Sequence, residues 1–268
     1  MDSKNDFFLA ALTASIEAGR AILEVYDKSD YGVTSKEDSS PLTEADLISS
    51  KIINEHLTQT PFPIISEEVK TEKKSLRESW TTCWVVDPLD GTKEFIKRNG
   101  EFTVNIALCH DGIPISGVIY TPVTRELYYA RVKDEVAFKT VLNENHEVTD
   151  GFFNERDHIQ PSTIDRKKIR IVGSRSHMNE DTIDFMTGLK TKYDAVEIVS
   201  KGSSLKFCLV AEGKADIYPR FAPTMEWDTA AGHAICNAVG LKVISQDTND
   251  ELLYNKESML NPYFLVTQ

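Results

Sequence analysis

Cysteine is scarce in this sequence, and a long hydrophobic run is missing. The four cysteines among its 268 residues lie at positions 83, 109, 208 and 236, and no two have the C-x-x-C spacing of zinc or redox sites. Each lies in an apolar stretch, which predicts buried free thiols rather than disulfides. No stretch of about 18 apolar residues is present, so we expect no transmembrane segment. The first residues lack the basic start of a secretory signal, and we expect no signal peptide.

Positive charge is scarce as well. The chain carries 42 acidic and 30 basic residues, which gives a formal net charge of -12 at pH 7. This excess of negative charge repels phosphate backbones, so we expect no nucleic-acid partner. A small anion can still bind where cations bridge it to the protein. We expect a cytoplasmic protein, with peripheral attachment at the inner face of the cell membrane as the alternative.

Two glycine-rich nucleotide motifs are also absent. Neither G-x-x-x-x-G-K-[ST] nor G-x-G-x-x-G occurs, which removes the usual NTPase and dehydrogenase interpretations. Aromatic residues, by contrast, occur along the whole length, as 12 Phe, 9 Tyr and 3 Trp. A chain of this size and composition is ordinary for one large domain or two tightly packed halves.

The hydrophobic patterns of the first half predict two helices followed by strands. Residues 6–27 and a segment beginning near Thr43 show helical spacing. Short apolar runs ending near Ser66 and at Asp87 indicate buried strands. From 102 to 138, several β-rich runs separated by turns predict a largely antiparallel meander.

The second half follows a polar, irregular stretch at 143–168. After it, short strands and helices alternate, which predicts an α/β arrangement. Helices are expected at 179–190, 203–212 and 228–238. We therefore expect an α+β half over residues 1–155 and an α/β half over residues 156–268, packed as one compact catalytic unit.

The most informative acids are Asp87 and Asp90. Asp87 ends an apolar strand, Pro88 keeps it extended, and Asp90 and Gly91 turn the chain toward a helix expected to begin at Thr92 or Lys93. Two carboxylates this close repel each other unless a hard divalent cation lies between them. The first N–H groups of the following helix can bind phosphate oxygens. An isolated Asp-Gly pair is more often a simple turn.

Three further acids lie at the ends of predicted elements. Glu67 follows a second apolar strand, Asp228 lies in the first turn of an alanine-rich helix, and Asp46 follows Thr43. Each has an ordinary alternative, since Glu67 fits an exposed surface acid. Asp46 and Asp228 fit acids that stabilise a helix N-terminus. Their occurrence together with Asp87 and Asp90 weakens these alternatives.

Three segments together resemble the signatures of the inositol monophosphatase superfamily. They are residues 65–68 (Ile-Ser-Glu-Glu), 87–92 (Asp-Pro-Leu-Asp-Gly-Thr) and 227–232 (Trp-Asp-Thr-Ala-Ala-Gly), in that order. The resemblance covers nearly the whole chain. It implies an α/β fold, a five-layer αβαβα sandwich of the type found in inositol monophosphatases and fructose-1,6-bisphosphatases. It also implies a phosphatase that uses two or three Mg²⁺ ions and is sensitive to lithium.

Other segments are similar to bacterial 3'(2'),5'-bisphosphate nucleotidases of the CysQ type. They are residues 39–46, 92–95, 173–177, 201–207 and 218–227. This resemblance implies a small phosphorylated nucleotide as partner, and hydrolysis of adenosine 3',5'-bisphosphate to AMP and phosphate. It also implies 3'-phosphoadenosine 5'-phosphosulfate as a second substrate and a role in sulfur metabolism. We expect a monomer or a homodimer.

The same resemblance implies a role for each site residue. The metal ligands would be Glu67, Asp87, the Leu89 backbone carbonyl, Asp90 and Asp228. The catalytic residues that orient water and accept its proton would be Asp46, Glu67 and Thr92. The substrate contacts would be Glu67, Leu89, Asp90, Gly91, Thr92, Arg175, His177, Ser203, Lys206, Arg220 and Asp228.

Several alternatives stay open. An inositol monophosphatase or a broad sugar phosphatase would share the fold, and a non-catalytic metal- or nucleotide-binding regulator could keep it. The pattern Asp87-x-x-Asp90-Gly-Thr also resembles the start of haloacid-dehalogenase phosphatases, but one residue too many separates its acids. For Lys206 the alternative is a solvated helix face, and for His177 it is a helix cap.

Overall fold

The computed structural model describes residues 3–28, 32, 34–35, 41–70, 72–173 and 179–268. Its helices are α1 (Ser3–Tyr26), α2 (Glu44–Leu57), α3 (Lys74–Arg77), α4 (Thr92–Ile96), α5 (Glu180–Leu189), α6 (Leu205–Ala211) and α7 (Glu226–Ala238). The first strands are β1 (Thr34–Ser35), β2 (Pro41–Leu42), β3 (Ile64–Ser66), β4 (Thr82–Asp90), β5 (Thr103–His110), β6 (Ile113–Thr121) and β7 (Glu126–Arg131). The remaining strands are β8 (Val136–Val141), β9 (His158–Ile159), β10 (Lys168–Gly173), β11 (Ala195–Ser200), β12 (Tyr218–Arg220), β13 (Lys242–Ser245) and β14 (Phe264–Thr267).

The first large sheet has the strand order β3-β4-β5-β6-β7-β8-β9. Its pairs are antiparallel except β3 with β4, which confirms the predicted meander. The β5–β6 hairpin turns at Asp111 (φ 48) and Gly112 (φ 75), the left-handed conformations that a two-residue hairpin turn requires. Strand β9 corrects the expectation of an irregular stretch at 143–168. It pairs Ile159 with Ala137 of β8, and one apolar residue in a polar stretch is too weak a pattern to predict a strand.

The second half contains a mixed sheet rather than a simple alternation. Strands β10 and β11 are parallel, and β14 lies between β12 and β13 in antiparallel pairs. The two groups meet where Val172 N–H donates to the Ile217 carbonyl at 2.8 Å. The resulting order is β11-β10-β12-β14-β13. The chain end therefore supplies a central strand that the alternating pattern did not predict.

Side chains alternate between the faces of both sheets and so define the layers. Trp84 and Val86 of β4 pack with α1 and α2, whereas Val85 faces the side that carries α6 and α7. Val172 of β10 contacts that same middle layer, and its neighbour Ile171 packs on α5. The order is α1/α2, first sheet, α6/α7, second sheet, α5. The predicted five-layer αβαβα sandwich is confirmed. The four cysteines are buried and free, also as predicted.

Helix α1 has 24 residues and is long enough to span a bilayer, but its surface is not apolar on all sides. It buries Leu12 and Ile22 against the first sheet and exposes Glu17 and Arg20 on its outer side. Throughout the described residues, no helix combines the length and the apolar character that crossing a membrane requires.

Candidate active site

Asp87 and Asp90 reach one side of the first sheet because β4 is irregular between them. Three residue steps separate them on β4, which in a regular strand would place their side chains on opposite faces. The register shifts there, so that Asp87 pairs with Asn105 and Asp90 with Thr103, two steps apart on β5. Pro88 cannot donate a ladder hydrogen bond, and this favours the bulge. The strand expected to end at Asp87 therefore continues to Asp90.

Asp228 comes from helix α7, which packs on the same side of the sheet. The Asp228 carboxylate accepts a hydrogen bond from Met225 N–H at 2.8 Å, so it caps the helix as well. The helix approaches β6 closely at Gly117, where a Cβ atom would lie 2.4 Å from the Ala231 carbonyl oxygen. One carboxylate oxygen each of Asp87, Asp90 and Asp228 then lie within 4.8 Å of one another.

Burial and mutual repulsion act on these acids. Burial raises the pKa of Asp87 well above its usual range, and the charges of Glu67, Asp90 and Asp228 raise it further. Burial and the neighbouring Asp90 raise the pKa of Asp228 to about 7. Protons or a cation must therefore balance the cluster. An all-oxygen donor set fits a hard divalent ion such as Mg²⁺.

Glu67 and Leu89 lie beside Asp87. Glu67 follows β3, where its backbone N–H donates to the Val86 carbonyl at 3.2 Å. The Leu89 N–H donates to Asp87 Oδ1 at 3.0 Å, and the Leu89 side chain is buried. Only the Leu89 main chain can therefore meet a ligand.

Asp46 and Thr92 form a hydrogen-bonded pair. Thr92 Oγ1 donates to Asp46 Oδ1 at 3.2 Å. Asp46 Oδ2 accepts from both the backbone N–H and the hydroxyl of Thr43, at 2.7 and 2.6 Å. Asp46 is almost fully buried, and its orientation is set by the capping geometry at the start of α2. Helix α4 begins at Thr92, as predicted, after Gly91 with φ 94.

An open cavity of about 140 Å³ lies beside the acids and is lined by Asp90, Asp228, Lys206, Tyr218 and Arg220. The Lys206 ammonium donates to the Ser203 carbonyl at 2.5 Å and lies 5.9 Å from the Tyr218 ring centre. Lys206 is buried, so its alternative as a solvated helix face is wrong. Burial lowers the pKa of Lys206 to about 8, which leaves it mostly protonated at neutral pH.

Arg220 has spare hydrogen-bonding capacity at this cavity. One of its terminal nitrogens donates to the Pro223 carbonyl at 3.1 Å. Its Nε is buried and has no hydrogen-bond partner among the residues that the structure describes. A buried guanidinium N–H without a partner is costly and fits a site for an anionic ligand.

The described site residues form connected groups. Asp87, Asp90 and Asp228 make up the carboxylate cluster, Asp46 and Thr92 form a hydrogen-bonded pair, and the cavity is lined by Asp90, Gly91, Ser203, Lys206, Arg220 and Asp228. Arg175 and His177 lie outside the described residues. Ser203 lies at the cavity, and its hydroxyl donates to Asp90 Oδ2 at 2.6 Å. The sequence did not single out Thr103 or Asn105, which join Ser203 in a buried polar cluster around Asp90. The one feature that could have identified them is their pairing with Asp87 and Asp90 across the β4–β5 ladder.

Comparisons with known proteins find relatives over nearly the whole chain. The model of the inositol monophosphatase family matches residues 4–263. A Salmonella typhimurium protein named 3'(2'),5'-bisphosphate nucleotidase CysQ is 44% identical over 253 residues, covering 93% of this chain and 95% of that one. The protein of the same name from Escherichia coli strain K12 is also 44% identical, with the same coverage.

Solved structures agree on the fold. The crystal structure of CysQ from Bacteroides thetaiotaomicron, a bacterial member of the inositol monophosphatase family, is 47% identical and superimposes with a TM-score of 0.85. The match covers 97% of this chain and 96% of that one. A Thermotoga maritima IMPase shares the fold alone, with 19% identity, a TM-score of 0.73, and coverage of 100% and 92%. This chain belongs to the inositol monophosphatase family.

Proposed function

We propose that this chain is a magnesium-dependent 3'(2'),5'-bisphosphate nucleotidase that hydrolyses adenosine 3',5'-bisphosphate to AMP and phosphate. One observation carries the proposal: a single cavity is lined both by Asp90 and Asp228 of the carboxylate cluster and by the cationic Lys206 and Arg220. A nucleoside with two phosphates can place one at the carboxylate cluster, where metal ions would bind it, and the other at the two cationic side chains. Relatives at 44% identity that carry the nucleotidase name support this substrate over an inositol phosphate.

The ion requirement follows from the donor set. Asp87, Asp90 and Asp228 would hold the metal ions, with Glu67 and the Leu89 carbonyl completing the set. When bound, divalent cations supply charge neutralisation for the phosphate oxygens and make a water molecule more acidic. The residues fit such ions, because buried carboxylates with raised pKa values need compensating positive charge.

Thr92 and Asp46 would orient the attacking water. The Thr92 hydroxyl donates its one hydrogen to Asp46, so its lone pairs are free to accept a hydrogen bond from water. Asp46 is held in place by Thr43 and is the nearest proton acceptor along this path. Glu67 is the alternative acceptor. In hydrolysis the water oxygen bonds to phosphorus, the bond from phosphorus to the 3' oxygen breaks, and that oxygen takes up a proton.

The proposal also covers the two halves of the chain, a second substrate, the area of metabolism and the oligomeric state. The halves at 1–155 and 156–268 would act as one unit, because the first supplies Asp87 and Asp90 and the second supplies Asp228, Lys206 and Arg220. Hydrolysis of 3'-phosphoadenosine 5'-phosphosulfate would use the same 3' site. Such activity would serve sulfur metabolism. The choice between a monomer and a homodimer stays a prediction.

Replacing Lys206 tests the second phosphate site. We expect Lys206→Ala to lower kcat/KM for adenosine 3',5'-bisphosphate about 10- to 150-fold, because a hydrogen bond to a charged group contributes roughly 1.5–3 kcal/mol. For adenosine 3'-monophosphate, which lacks the 5'-phosphate, the loss should be small. Phosphate-release kinetics with both substrates on both proteins give the coupling energy directly.

The control for this experiment is Lys214→Ala. Lys214 is an exposed lysine that pairs with Glu212, so its replacement changes the net charge equally and should leave both substrates unaffected. Equal losses on the bisphosphate and the monophosphate in Lys206→Ala would show that Lys206 serves the scissile phosphate or the structure instead. The bisphosphate site at Lys206 would then be abandoned.

A further inference from the structure

Asp90 is held by a buried polar cluster. Its Oδ2 accepts hydrogen bonds from the Ser203 hydroxyl and from the Ser204 N–H, both at 2.6 Å. The Asn105 side-chain amide lies 3.4 Å from the same oxygen. These contacts occupy Oδ2 and leave Oδ1 for a ligand. The two serines belong to the turn before α6, so the second half of the chain orients an acid of the first half.

Thr103 connects the members of this cluster. It is the first residue of β5, lies opposite Asp90 in the ladder, and is completely buried. Its Oγ1 is 2.7 Å from Ser203 Oγ and 2.8 Å from Ser204 Oγ. The same oxygen is 3.0 Å from Asn105 Oδ1, which the Ser204 hydroxyl also reaches at 2.7 Å. Thr103 thus contacts every side chain around Asp90 Oδ2 without contacting Asp90 through its own side chain.

The number of hydroxyl hydrogens gives these bonds a direction. A carboxylate only accepts, so the single hydrogen of Ser203 points to Asp90. Ser203 Oγ can then accept the single hydrogen of Thr103, while Ser204 donates to Asn105, so that Thr103 has its hydrogen bond with Ser203 and packs against the other two side chains. This chain of donors ends on Asp90, and charge-assisted hydrogen bonds of this kind are the strong ones. A methyl group at the position of the Thr103 hydroxyl would interrupt it.

The backbone conformation of Ser203 is a second reason why the turn before α6 must be held in place by its neighbours. Ser203 has φ 55, a left-handed conformation that a serine adopts only when its surroundings impose it. The Glu101 carboxylate accepts from Gly202 N–H at 2.9 Å on one side of it. The Thr103 hydroxyl contacts Ser203 and Ser204 directly. Thr103 of β5 and Glu101, just before that strand, therefore hold the turn that orients Asp90.

We propose that Thr103 is a positioning residue for Asp90. Through its hydrogen bond to Ser203 and its packing against Ser204 and Asn105 it fixes the carboxylate in the orientation that metal binding and phosphate transfer require. Orienting contacts of this kind matter because a ligand must be held to within about half an ångström of its productive place. The inference rests on the proposed function, in which Asp90 is a metal ligand.

Thr103→Val tests it, because valine keeps the shape and removes the hydroxyl. We expect kcat for adenosine 3',5'-bisphosphate to fall about 10- to 100-fold, the usual loss when contacts that orient a metal ligand are removed. KM should change by less than about twofold, since no substrate contact is lost. Calorimetry with Mn²⁺ and no substrate should show an affinity about tenfold weaker. Thr103→Ser, which keeps the hydroxyl, should restore both values.

Thr121→Val is the matched control. Thr121 is the last residue of β6 and is fully buried, but within the described part of the chain its hydroxyl has no hydrogen-bond partner. Its replacement by valine should leave kcat and Mn²⁺ affinity unchanged. A loss in Thr121→Val as large as that in Thr103→Val would mean that any buried threonine in this sheet is required, and it would overturn the proposal.

The remaining outcomes are also decisive. A folded Thr103→Val with wild-type kcat and Mn²⁺ affinity overturns the inference, as does a Thr103→Ser variant as impaired as the valine. If circular dichroism shows that Thr103→Val is unfolded, Thr103→Ala takes its place, because it also removes the hydroxyl but adds no methyl group beside the oxygens of Ser203 and Ser204, and the same outcomes apply to it. A wild-type protein without phosphatase activity contradicts the proposed function, and the Mn²⁺ affinities then still decide the role of Thr103.

Discussion

Asp90→Asn will lower kcat by at least about a thousandfold, because electrostatic stabilisation by a metal site is worth several kcal/mol and each 1.4 kcal/mol is tenfold. The asparagine oxygen can still accept the hydrogen bonds from Ser203 and Ser204. Its amide nitrogen then replaces the oxygen beside Asp87 and Asp228. The substitution therefore removes a negative charge from the cluster and keeps the local shape. Asp228→Asn should have a similar effect.

Phosphate release at saturating Mg²⁺ measures this loss, and Asp111→Asn is its control. Asp111 is exposed at the β5–β6 turn with φ 48, a conformation that asparagine tolerates well. It changes the same charge far from the carboxylate cluster and should keep wild-type kcat. If Asp90→Asn keeps more than about a tenth of wild-type activity, the metal assignment at Asp90 is wrong.

Gly117→Ala will destabilise the protein by about 3 kcal/mol or more, at the upper end of the cost of overpacking a core. The added Cβ would lie 2.4 Å from the Ala231 carbonyl oxygen and 2.9 Å from the Ala234 Cβ. The first of these atoms is helix backbone, so α7 must move away from β6. Because α7 carries Asp228, activity should fall together with stability. Chemical denaturation measures the free energy of unfolding.

Gly188→Ala is the opposite case in the same chain. Gly188 lies in α5, and a Cβ atom there would have no neighbour within 4 Å among the described residues, apart from its own stretch of the helix. Alanine should stabilise the protein by about 0.5 kcal/mol through helix propensity and a less flexible unfolded chain. If Gly117→Ala were as harmless as Gly188→Ala, the close approach of α7 to β6 would not be what places Asp228.

Local patterns predicted the elements whose signals lie within one segment. The helix expected near Thr43 begins at Glu44, and the helix expected from 228 begins at Glu226. Strand β14 was not predicted, because its place between β12 and β13 is a long-range pairing that no local pattern specifies. The bulge between Asp87 and Asp90 also depends on the partner strand β5.

The site residues show the same contrast between local signals, which the sequence reveals, and long-range contacts, which it does not. The acids were predicted because their motifs are contiguous and follow apolar strands. Helix α6 was expected to begin at 203 but begins at Leu205, and this small difference hid the turn in which Ser203 and Ser204 hold Asp90. Thr103 looks like any strand residue in the sequence. Its contacts with Ser203 and Ser204 join positions about 100 residues apart.

One comparison tests the central claim most directly: kcat/KM for adenosine 3',5'-bisphosphate against inositol 1-phosphate, on the same enzyme with saturating Mg²⁺. Two charge-assisted contacts, at Lys206 and Arg220, should favour the bisphosphate by about a hundredfold or more. Equal values, or a preference for inositol 1-phosphate, would contradict the nucleotidase and leave an inositol or sugar phosphatase in its place.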